Sequence, residues 1–151
     1  MLGDAMSDRE EIEGLMLAYC RAIDSGAWEV FRALMDRAQW LVEGEAPSPA
    51  SANNVIVYED GTPRTKHVVT NIAILVDPEG HRAEGHSYVT VYQQVPGDQL
   101  RTIFTGEYYD CFAKAEGRWH FTQRDIRRPL YGDLAKHLKD PRATFPRAPL
   151  S

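Results

Sequence analysis

The sequence lacks most of the features from which cofactor and metal sites are built. It has only two cysteines, Cys20 and Cys111, far apart and in no Cys-x-x-Cys pair. That excludes a disulfide framework and a thiolate zinc site, and reads as a pair of packed cytoplasmic thiols. No apolar run approaches the roughly 18 residues that a membrane-spanning helix needs. Met1 to Met6 carries no basic or apolar signal-peptide stretch, so a cytoplasmic location is expected. Positive charge is short: 17 Lys and Arg against 22 Asp and Glu leave a net charge of −5. This balance disfavours nucleic acid and anionic membrane as partners. No cofactor motif is present. What remains is an ordinary globular balance, 43% hydrophobic and 26% charged over 151 residues, the length of one domain spanning 1–151.

The strongest local signal is a helix. Ser7 and Glu10 form a capping-box pattern, and Ile12, Leu15, Met16, Tyr19, Cys20 and Ile23 fall on one face. Ser25-Gly26 should end it. A shorter helix follows, with Trp28, Phe31, Leu34 and Met35 on one side, and then a short strand at Trp40-Leu41-Val42. Glu43 to Thr65 is rich in turn formers, and Val55 to Tyr58 reads equally as a brief strand or a helical turn. From His67 the chain becomes β-rich. Strands are expected over Val68–Val76, Arg82–Gln94, Arg101–Ala113 and Arg118–Ile126, separated by turns at Asp77–Gly80, Pro96–Asp98 and Ala115–Gly117. A short helix is expected over Gly132–Leu138. Asp140–Ser151, with three prolines, is expected to trail along the surface or lack order. Helices followed by an antiparallel meander make an α+β fold, in which a strongly curved sheet with helices across its concave side encloses a conical pocket.

Five histidines are available. His81 and His137 are expected in solvent, His120 lies beside Trp119 but faces the other way, His86 is on a long strand, and His67 stands where the sheet begins. None has metal-ligand spacing, so no metal site is expected. Asp24 is conspicuous, because an acidic residue at a helix C-terminus opposes the macrodipole. Either it caps the following helix or it reaches into the pocket to accept a hydrogen bond from a histidine. Arg124, Arg127 and Arg128 form a basic cluster read as an interface or a solvated edge.

Tyr19 to Asp24 with Trp28, then Ala38 to Gly44, Thr65 to Asn71 around His67, and the closing Gly117-Arg118-Trp119-His120-Phe121 together resemble the SnoaL-like branch of the nuclear transport factor 2-like superfamily. This is the cystatin-like α+β barrel that includes lindane dehydrochlorinase and scytalone dehydratase. The resemblance covers Arg9 to Arg128. It implies a dyad in which His67 is the general base and Asp24 fixes its tautomer, acting without metal or organic cofactor. It also places Tyr19, Trp40, Val89, Val91 and Tyr109 against the substrate. The chain departs from both relatives. The second histidine of scytalone dehydratase corresponds to Tyr92, or to His86 if the alignment slips, and an arginine of lindane dehydrochlorinase falls near Tyr109.

The expected function is a lyase, dehydratase or isomerase acting on a small, apolar, cyclic molecule. The alternatives are a non-catalytic binding or assembly protein of the same fold and a polyketide cyclase. A homo-oligomer, dimer or trimer, is expected, with Tyr88, Thr90 and Tyr92 on the outer strand face available for contact.

Overall fold

Ser7 and Glu10 close the capping box in both directions and open α1, Asp8–Asp24. In this computed structural model residues 5–150 are described, so most of the Met1–Met6 segment read for a signal lies outside them. The helix is clamped at both ends. At its start, Asp8 Oδ1 accepts hydrogen bonds from Trp119 Nε1 and Lys114 Nζ, each at 2.9 Å, and Glu11 accepts one from the Trp119 backbone N–H at 2.8 Å. At its end, Gly26 turns the chain with φ +73, and a Cβ there would lie 2.1 Å from the Gly61 carbonyl oxygen. Glycine is therefore required both for the turn and for the close approach. The second helix, α2, is Trp28–Met35, and β1 is Gln39–Val42.

The meander runs through β2 (Thr65–Val76), β3 (Arg82–Gln93), β4 (Arg101–Ala115) and β5 (Arg118–Tyr131). The sheet order is β1-β5-β4-β3-β2, antiparallel except where β1 joins β5 in parallel. Alternation sorts the faces. Along β3, Ala83, Gly85, Ser87, Val89 and Val91 are buried, while Glu84 and Tyr88 are exposed. The buried face packs with Ile12, Met16, Tyr19, Cys20 and Ile23 of α1 in one core. Bulges between Thr70 and Ala73, Val91 and Tyr92, Thr105 and Glu107, and Cys111 and Phe112 bend the strands around it.

The C-terminal segment departs from expectation. No helix forms over 132–138. Instead a single turn is held by the N–H groups of His137 and Leu138, both donating to the Leu134 carbonyl at 3.0 and 2.9 Å. Leu134 and Leu138 have helical spacing, but one turn is enough to bury both. The tail does not trail. It forms a short helix, α3 (Pro141–Thr144), and buries Ala143, Thr144, Phe145 and Ala148. Phe145 stacks on Phe104 with ring centres 4.9 Å apart. Asn54 fastens this segment to the loop after β1. Its Nδ2 donates to the Asp140 carbonyl (2.7 Å) and to Thr144 Oγ1 (2.8 Å), and its Oδ1 accepts from the Asp140 N–H (2.8 Å).

Candidate active site

The curved sheet, the two helices and the folded-back tail enclose a cavity of about 550 Å³, within the usual range for small-molecule sites. Its walls are mainly apolar, among them Ile23, Phe31, Met35, Val91, Phe104 and Leu138. The polar groups are few and come from separate elements.

Asp24 does not cap α2. The α2 N-cap is Ala27, which makes no side-chain capping bond. The Asp24 carboxylate instead reaches across to the start of β2. Its Oδ1 accepts from His67 Nδ1 at 2.6 Å and from Thr65 Oγ1 at 2.8 Å, and its Oδ2 accepts from the His67 backbone N–H at 2.7 Å. Burial pushes the carboxyl up, but the His67 ring, the backbone N–H and Thr65 together hold it below its ordinary value. This is the compensation that lets an acidic residue sit at a helix C-terminus. His67 lines the cavity, and its Nε2 has no hydrogen-bond partner among the described residues.

Tyr19 and Trp40 also line the cavity and are joined to each other, Trp40 Nε1 donating to Tyr19 Oη at 2.9 Å. Burial pushes the Tyr19 phenol up to about 12, so it is neutral. Val91 is on the cavity wall. Val89, on the same strand face, is fully buried in the core and does not reach the cavity.

Tyr109 is not in the cavity; its neighbour Tyr108 takes the inward position. Tyr109 stands on the outer face of the sheet, stacked on His86 at 4.4 Å and accepting from Arg128 Nη1 at 2.7 Å. His86 lies on that same outer face, its Nε2 2.8 Å from Glu107, and so cannot act as a second histidine inside. Tyr88 and His81 are exposed, as expected, and Tyr88, Thr90 and Tyr92 share the outer face.

Two titratable residues overturn their sequence readings. Arg124 is not at a solvated edge. It is fully buried, donating from Nε and Nη2 to the two oxygens of Asp110, both at 2.8 Å, and packs against the rings of Tyr108 (3.7 Å) and Tyr19 (4.2 Å). His137 is not solvated. It is 9% exposed, lines the cavity, and its ring centre is 6.4 Å from that of His67. Burial, with the nearby His67, pushes the imidazole down to about 4 against a smaller opposing pull from Asp24. The expected helix over 132–138 put His137 in solvent, and nothing local to that segment shows what covers it. Cys20 and Cys111 are both free, and burial raises both thiols, Cys20 to about 11. That fits packing better than nucleophilic use.

No curated protein matches this chain. Solved structures share its shape at low sequence identity. LinA is 22% identical with a TM-score of 0.63, covering 82% of this chain and 86% of that one. A scytalone dehydratase-like protein from Novosphingobium aromaticivorans is 20% identical with a TM-score of 0.58, covering 83% and 88%. An NTF2-like protein with a cystatin-like fold, from the same organism, is 20% identical with a TM-score of 0.62, covering 85% and 86%. These likenesses establish the fold. The model of the SnoaL-like domain goes further, matching residues 4–125 and so taking in both helices, Asp24, His67 and most of the meander. By that match the chain belongs to the SnoaL-like family.

Proposed function

We propose that this protein is an acid–base enzyme, a lyase, dehydratase or isomerase, that takes a proton from carbon in a small, largely apolar, cyclic substrate. One observation carries the reading. Asp24 grips His67 by ring nitrogen and backbone N–H together, at 2.6 and 2.7 Å, at the wall of an apolar cavity. A carboxylate on Nδ1 keeps the proton there and leaves the Nε2 lone pair free, which is the tautomer a base needs.

The chemistry follows from that placement. Nε2 takes the proton, the C–H electron pair becomes a carbon–carbon double bond, and the neighbouring leaving group departs with its own pair. Asp24 stabilises the imidazolium so formed. His67 then returns the proton to the departing oxygen in a dehydration. In an isomerisation no group leaves; the C–H pair is delocalised over a neighbouring unsaturated group of the substrate, and His67 returns the proton to another carbon of that system. Apolar walls exclude water and strengthen the pair by lowering the local dielectric. The likeness to a scytalone dehydratase-like structure supports dehydration within this class.

The test is elimination from cyclic compounds that carry a leaving group next to an acidified C–H, followed by the ultraviolet absorbance of the new conjugated bond. His67→Gln and Asp24→Asn should each lower the rate by about 10²–10⁴, the usual worth of a positioned base. Wild-type turnover in both variants would overturn the dyad.

A further inference from the structure

Among the described residues, four buried side-chain polar atoms have no hydrogen-bond partner: Ser87 Oγ, Arg124 Nη1, Tyr131 Oη and His137 Nδ1. Only one of these residues, His137, lines the cavity. Its backbone is fully committed, its N–H donating to the Leu134 carbonyl at 3.0 Å and its carbonyl accepting from the Ile56 N–H at 2.8 Å. The residue is thus held in place by its main chain. Its imidazole is held by no hydrogen bond, although it is nine-tenths buried; Nδ1 is sealed from solvent and cavity alike, and Nε2 is the nitrogen left to meet a ligand. Leaving such a group unpaired is costly, and a histidine that only filled space would be better replaced by phenylalanine or leucine. Several polar side chains near it are already occupied: Tyr19 and Trp40 bond to each other, Asn54 bonds to the tail, and Asp24 bonds to His67 and Thr65. Arg32, Ser51, Asn53 and Lys139 on the cavity wall are not buried as His137 is.

From this geometry we infer that His137 is a substrate-binding residue whose imidazole pairs with a carbonyl or hydroxyl oxygen of the ligand, so that the cavity selects oxygenated, otherwise apolar rings over plain hydrocarbons. This rests on reading the cavity as the proton-transfer site and names the substrate class it takes. The two imidazoles are neighbours on the cavity wall, edge to face with ring centres 6.4 Å apart, so a small ring lying against both can present a C–H to one and an oxygen to the other. A neutral imidazole can serve either oxygen type, donating to a carbonyl from its N–H or accepting from a hydroxyl at its bare nitrogen. Burial holds it neutral near pH 7, which suits hydrogen bonding without placing a second cation beside His67.

The experiment compares 1-tetralone with tetralin, two bicycles of similar shape that differ in one oxygen, by titrating the full-length protein and following the fluorescence of the cavity tryptophans Trp28 and Trp40. Wild type should bind 1-tetralone about tenfold more tightly than tetralin, the worth of one neutral hydrogen bond. His137→Phe should keep tetralin binding and lose the preference. His137→Gln, which retains a donor and an acceptor, should recover part of it. Should His137→Phe fail to fold, His137→Leu serves in its place. An unchanged preference in the apolar variant, equal affinities in wild type, or no binding of either compound would each overturn the inference. Failure of the dyad is read separately, as wild-type rates of hydrogen–deuterium exchange at C2 of 1-tetralone in His67→Gln.

Discussion

Two acid–base pairs lie on the inner side of this sheet, and they are built for opposite ends. Asp110 and Arg124 face each other across β4 and β5, joined by two bonds and with neither side chain exposed. Aromatic rings cover the guanidinium, and Asp110 holds it firmly charged against the cost of burial. Asp24 and His67 are joined by one side-chain bond at 2.6 Å, with 15% and 8% of their side chains exposed, and the His67 ring opens on the cavity. The first pair commits Arg124 Nε and Nη2 to Asp110 and turns the guanidinium against aromatic rings, and its nitrogen without a partner among the described residues, Nη1, is sealed in the core away from the cavity. The second leaves a nitrogen facing space that a ligand can fill. Both are buried carboxylates with short bonds, so distance does not separate a structural pair from a chemical one. Access of the partner's free nitrogen to a cavity does.

The comparison breaks most visibly if each pair is cut on one side. Arg124→Met leaves the Asp110 carboxylate buried without its partner and should cost about 3–5 kcal/mol in urea unfolding. Asp110→Leu combined with Arg124→Met should recover most of that, since replacing both ions with apolar groups is often neutral or better. A loss under 1 kcal/mol in the single variant would show that the pair is not the closed structural unit described here.

Sequence reading reached the elements whose phase is set locally. The capping box and six apolar positions define α1 without reference to anything distant, and Asp24 stood out because it defies the helix dipole. Tyr109 was misplaced because Tyr108 and Tyr109 are chemically alike, so composition cannot tell which of the two points inward, and bulges on either side shift the count. Arg124 was misplaced because the burial of a charge depends on its cross-strand partner, and Asp110 becomes that partner only through the register of the sheet. His137 was invisible for a third reason. Its surroundings are set by partners far along the chain: the Ile56 N–H bonds its carbonyl, and the tail that shares its cavity is fastened by Asn54.

That folded-back tail supplies the next test. His137 sits beside His67 and Asp24, and burial holds its folded-state value at about 4, below the ordinary 6.5. Between those values the unfolded chain binds the proton and the folded one does not, so stability should fall as pH drops from about 6.5 to about 4, on the order of 3 kcal/mol. Carboxylates titrate in the lower part of the same range, so the readout is the difference between wild type and His137→Phe in urea midpoints. The variant's curve should be flatter across this window. Parallel curves would mean that the imidazole is not kept neutral by burial.

The smallest effect on stability belongs to the pair proposed for the chemistry. Asp24→Asn keeps the shape and can still accept from the His67 backbone N–H, but it loses the charge that favours the ring bond. It should cost roughly 1–2 kcal/mol of stability near neutral pH, well under the cost of cutting the Asp110–Arg124 pair. The acid limb fixes the sign. The folded-state value of Asp24 lies below the unfolded value of about 3.8, so its contribution is complete above that pH and is lost as pH falls through the folded value. The difference between wild type and Asp24→Asn should therefore be constant above pH 5 or so and shrink below about pH 4. Thermal unfolding of both proteins across that range measures it. A difference that persists undiminished in acid would show that the contribution of Asp24 is packing and not charge, and would remove the contrast between the open pair and the closed one.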